Sequence, residues 1–132
     1  MIKQDYLIRM ILEIITKIAE AILGKKKIKP QSWVEYDALT RQILGLTTEE
    51  LRSASAEEIL SVYEKDLDRW GKTELAAMTL LKIADETEDD ILLKQKFRQD
   101  GLKLLKCVQS DSGTFSLQRT AIISLLESED IK

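Results

Sequence analysis

Lys25, Lys26, Lys27 and Lys29 stand just before Trp33 and Tyr36. Ammonium groups beside aromatic rings could meet a phosphate-bearing ligand, with the cations on the phosphate and a ring stacked on the rest. The simpler reading of the same stretch is a solvated basic connector that ends in Pro30. These six residues are the candidate interaction residues of the chain. No catalytic, cofactor-binding or metal-ligating residue can be assigned.

Other chemistries fail on residue type or spacing. The chain has no histidine, which removes histidine-assisted nucleophiles and the common zinc sites. Its one cysteine, Cys107, forbids an internal disulfide and fits a reducing cytoplasm. Cys107 falls on a helix that must pack, so a buried thiol is expected. A phosphate loop needs two glycines at fixed spacing and a hydroxyl after the lysine. Gly24-Lys25 supplies the end of that pattern, but Ala19 and Lys26 occupy the other places. A calcium loop starting at Asp85 wants glycine sixth and glutamate twelfth, where the chain has Asp90 and Lys96.

The elements that would carry any site are helices. One proline and five glycines in 132 residues leave little turn material, and runs of strand-like alternation are missing. The longest apolar stretch, 3–23, places Arg9, Glu13, Thr16, Lys17 and Glu20 on one narrow strip. Core helix is its first reading. A homodimer seam through Ile8, Ile11, Ile15, Ile18 and Ile22 is the second, and a membrane-surface helix using the lysine run is the third. Four charges between positions 9 and 20 argue against a spanning helix and against a signal peptide.

Downstream, Ser32–Glu35, Thr47–Glu50 and Ser55–Glu58 have the spacing of capping boxes. They open helices over 32–44, 47–52 and 56–70, with Gly45 and Gly71 as stops. Further helices are expected over 72–86, over 89–108 capped by Thr87, and over 115–128. Leu67, Trp70, Ile91, Leu117 and Ala121 are among the residues assigned inward. The pairs 56–70 with 72–86, and 89–108 with 115–128, read as helical hairpins of the kind that stack into solenoids. The expected architecture is therefore all-α, a single domain over 1–132. An apolar N-terminal helix, 1–24, packs on a tetratricopeptide-like hairpin array, 32–132.

The net charge of −3 is uneven: 1–30 carries seven basic and three acidic groups, or +4, and the remainder 13 basic and 20 acidic, or −7. An acidic body argues against nucleic acid as partner.

The opening Met1-Ile2-Lys3-Gln4-Asp5-Tyr6-Leu7-Ile8-Arg9-Met10-Ile11, with Leu23-Gly24-Lys25 after it, resembles the start of a family of small uncharacterised bacterial proteins, a domain-of-unknown-function family. The likeness is strongest over the first 25 residues and extends in layout to Ser112-Gly113-Thr114-Phe115. It implies a cytoplasmic bacterial protein with a tetratricopeptide-like helical fold, no assigned activity and no functional residues to carry over. The function expected from all of this is a non-enzymatic helical protein–protein interaction module. The alternatives are a homodimeric or membrane-surface adaptor working through the first helix, and then a small-ligand enzyme.

Overall fold

The computed structural model describes residues 4–24 and 33–130, the side chain of Asp130 apart. Among the described residues every regular element is a helix: α1 (Gln4–Leu23), α2 (Val34–Leu44), α3 (Thr48–Ser53), α4 (Ala56–Val62), α5 (Arg69–Glu86), α6 (Ile91–Asp111) and α7 (Leu117–Asp130). None of them is long and apolar enough to cross a membrane.

The centre of the molecule is α5. Leu75 to Met78 and Leu80 to Ala84 are all buried, so this helix is enclosed on nearly every side. It touches α1, α2, α3, α4 and α6. The closest neighbour, α6, lies against it at Gly101. A Cβ on residue 101 would stand 2.8 Å from Leu81 Cδ2 and 3.1 Å from the Ala77 carbonyl oxygen. Small residues on both helices, Ala77 and Gly101, let the backbones come this near.

The first helix buries Ile11, Ile14, Ile15, Ile18 and Ala19 against α5, α7 and α2. Each buried isoleucine contributes roughly 1.5–3 kcal/mol, which outweighs the small helix-propensity cost of branching at Cβ. The face drawn as a dimer seam is thus spent inside the monomer at Ile11, Ile15 and Ile18. Ile8 and Leu12, on the flank of the helix, stay exposed, as do Tyr6 and Leu23.

Local signals set the starts of α3 and α4. Thr47 Oγ1 accepts from the Glu50 amide and Ser55 Oγ from the Glu58 amide, and both glutamates reach back to the capping residue's own N–H. Gly45 ends α2 at φ +70°, its amide on the Arg41 carbonyl. At the start of α2, Ser32 lies outside the described residues. The boundary residue there is Trp33, whose side chain makes no capping bond.

The expected helix over 56–70 is broken. It stops at Val62, turns through 63–68, and α5 begins at Arg69, so Gly71 sits inside a helix instead of ending one. Tyr63 Oη donates to the Leu44 carbonyl at 2.7 Å. Asp66 Oδ1 accepts from the Asp68 amide at 2.9 Å while its Oδ2 pairs with Lys72 at 2.7 Å. These bonds hold a turn where the apolar pattern alone would continue the helix. Leu67, assigned inward, is 94% exposed as a result. The tight hairpin is therefore α5 with α6, and 56–70 with 72–86 does not form one.

Three further expectations are corrected. Asp90, not Thr87, caps α6 by accepting from the Leu93 amide, while Thr87 Oγ1 donates back to the Ile83 carbonyl. The helix starts two residues late, and Ile91 falls on its open first turn and is exposed. The last helix starts at Leu117, which leaves Phe115 in the loop and Leu117 and Ala121 exposed. Cys107 is half-buried on the outer side of α6 rather than enclosed.

Candidate functional site

Of the six basic and aromatic candidates, Trp33 and Tyr36 fall among the described residues. Lys25, Lys26, Lys27 and Lys29 lie outside the described residues. Trp33 belongs to the core, tilted against the half-buried Tyr36 with ring centroids 5.8 Å apart. The Lys82 ammonium sits 5.3 Å from the Trp33 ring centre. The ring is thus enclosed and already faces a cation, so it cannot stack on a ligand. Lys82 is itself buried and is neutralised by Asp37 at 3.2 Å and by Glu86. That cluster fastens α2 to α5.

A groove of about 430 Å³ opens elsewhere, between the first half of α1, the 63–68 turn with the start of α5, and the α6–α7 loop. One wall is Ile8, Leu12 and Thr16, successive residues of an i, i+4 row on α1. The facing wall is Leu67, Trp70 and Phe115. Leu67, Phe115 at 77% and Leu12 at 55% are more than half exposed. A cluster of large apolar side chains left in water around one hollow marks an interaction site more often than chance exposure.

Charged groups close the floor. The Arg119 side chain is almost wholly buried and every nitrogen of its guanidinium is used. Nε donates to Gln109 Oε1 at 2.6 Å, one terminal nitrogen meets Glu74 Oε2 at 3.2 Å, and the other donates to the Thr114 carbonyl at 2.6 Å. Arg119 thereby ties α5, α6, α7 and the loop that carries Phe115. Burial pushes the Glu74 carboxyl above the ordinary carboxylate range, and the Arg119 charge opposes that rise without cancelling it.

The raised value predicts a pH dependence. Stability from protonated Glu74 is fully present below its unfolded value of 4.5 and is lost as pH rises through its higher folded value. Chemical denaturation of the wild type and Glu74→Gln from about pH 4 to about pH 7 checks this. The difference should move against the wild type as pH rises. A constant difference, or one moving the other way, would show that the carboxyl is not desolvated.

Beside this pair lie Asp68 and Arg69. Asp68 is also pushed up by burial, and the Gly71 amide acts in the opposite sense. Its carboxylate oxygens lie 2.6 Å from where a Cβ on residue 71 would stand, so the glycine leaves room for the carboxylate to fold over the first turn of α5. Arg69 lays its guanidinium over Trp70, 4.3 Å from the ring centre, and its buried Nε has no acceptor among the described residues. The groove thus combines apolar walls with an arginine stacked on Trp70 and the carboxylates of Asp68 and Glu74.

None of Asp68, Arg69, Glu74 or Arg119 was singled out from the sequence. Arg119 carried a signal, since it is in phase with the buried Ile122 and Leu126 at i+3 and i+7. A charge on an apolar stripe asks for buried partners.

A second cavity, of about 440 Å³, lies at the other end of α1, lined by Ile22, Leu81, Lys94, Arg98, Leu125 and Glu129 among others. Arg98 and Glu129 pair with each other there.

No protein-family model, no curated protein and no solved structure matches the chain.

Proposed function

We propose that this chain is a non-enzymatic helical interaction module that docks protein in the groove between α1, the 63–68 turn and the α6–α7 loop. The observation that carries the reading is the exposure of Leu67, Phe115 and Leu12 around a hollow whose floor is fixed by the Arg119 cluster. Apolar anchors held by a rigid frame are what a protein interface needs at its centre. The tetratricopeptide-like character belongs to the same proposal. Support for it comes from α5, α6 and α7 following one another through the short connections 87–90 and 112–116. Membership of the uncharacterised bacterial family rests on the opening residues, and a cytoplasmic location on the lone thiol.

A photo-crosslinking amino acid placed at position 67 or 115 tests the docking site, with position 92 as control. Leu92 is as exposed as Phe115 but lies on the first turn of α6, away from the groove. Adducts in the cell should be confined to positions 67 and 115 and should disappear on Leu12→Asp. Equal labelling at position 92, or none anywhere, would overturn the reading.

A further inference from the structure

We propose that the groove is covered by a second copy of this chain, the two α1 helices lying antiparallel along their exposed flanks. The proposal rests on the docking role given to the groove and names what occupies it.

The argument starts from four charges. Asp5, Arg9, Glu13 and Lys17 form an i, i+4 row of alternating sign along the open side of α1, and all four are exposed. Among the described residues none of these side chains has a hydrogen-bond or ion-pair partner. Next to this row runs Ile8, Leu12 and Thr16, the groove's own wall.

Such a row complements itself in one orientation. With a two-fold axis crossing α1 at the level of residue 11, Asp5 faces Lys17 of the second copy and Arg9 faces its Glu13, and symmetry repeats both pairs. A parallel, in-register pair would set every charge against its like, which is unfavourable. At the antiparallel register Leu12 lies one residue from the axis, so the two Leu12 side chains meet across it. The helix is about 30 Å long, so it extends past the groove, and Leu67 and Phe115 flank it on the far wall. The contact is isologous, the commonest form of symmetric pairing. The seam differs from one through Ile11, Ile15 and Ile18, which the core already holds.

Sedimentation equilibrium of the full chain over a micromolar concentration series tests the proposal. The expected result is a monomer–dimer equilibrium weakened by salt. Arg9→Glu and Glu13→Arg should each weaken dimerisation about tenfold or more, since each sets like charges together twice. The double variant Arg9→Glu/Glu13→Arg restores opposite signs and should recover it. Leu12→Glu should give monomer with unchanged helicity. A wild type that stays monomeric, or a dimer that ignores the charge reversals, overturns the proposal. If position 67 crosslinks a different protein while the chain sediments as monomer, the groove reading survives and the second copy is ruled out. If the dimer forms with charge rescue but positions 67 and 115 capture nothing, the groove is not the docking surface.

Discussion

Replacing Arg119 by methionine is expected to lower the unfolding free energy by about 3–5 kcal/mol at neutral pH. The size follows from what is left behind. The guanidinium supplies the only cation paired with Glu74 among the described residues, and that carboxyl is already desolvated. Without Arg119 it must either ionise alone in the interior or take up a proton. Gln109 and the Thr114 carbonyl lose their donors as well. Lysine is a poor substitute, because one ammonium cannot address three acceptors set around a planar fork. The diagnostic comparison is Arg119→Met with Arg119→Met/Glu74→Met, measured by urea denaturation. Replacing both members of a buried pair by apolar groups of similar volume is often close to neutral, so the double variant should regain much of the loss. If it falls as far as the sum of the single changes, the cost lies in packing around Arg119 and not in the stranded carboxylate.

The same cluster shows what a sequence can and cannot disclose here. The Thr47 and Ser55 boxes were legible because every atom involved lies within three residues. The buried faces of α1 and α5 were legible because their apolar residues keep helical phase. The break at 63–68 was not, because beside the local bonds of Asp66 it takes a distant one: the Tyr63 hydroxyl finds the Leu44 carbonyl, 19 residues away. Leu67 continues the phase of Ile59, Leu60 and Tyr63, and only the intervening turn sends it outward. The surroundings of Trp33 were hidden for a related reason. Lysines next to it in sequence suggested a phosphate site, but the cation that meets its ring is Lys82, on another helix. A groove assembled from α1, a turn and a distant loop has no local pattern at all. Its trace in the sequence was indirect, in charges placed where the apolar stripe of a helix should continue.

At Gly101 the effect of substitution depends on which neighbour can yield. Alanine there gains roughly 1 kcal/mol of helix propensity. Its Cβ would stand 2.8 Å from Leu81 Cδ2, the far end of a side chain that borders the cavity at the end of α1 and has room to turn into it, and 3.1 Å from the Ala77 carbonyl oxygen, which must give by a few tenths of an ångström. Gly101→Ala is therefore expected to stay within about 1 kcal/mol of the wild type. Valine asks for far more room than alanine. Its added methyl groups press on the Ala77 carbonyl, 3.1 Å from the Cβ position and fixed in the α5 backbone. The two central helices must then separate, and every buried contact between them loosens at once. A loss of about 3 kcal/mol is expected, at the upper end of ordinary overpacking. Urea denaturation of both variants checks the contrast. Leu81→Ala should relieve the alanine variant while leaving the valine variant nearly as unstable, because valine's two added methyl groups press on backbone that a smaller residue 81 does not move. A valine variant of wild-type stability would mean that α5 and α6 do not meet at this distance.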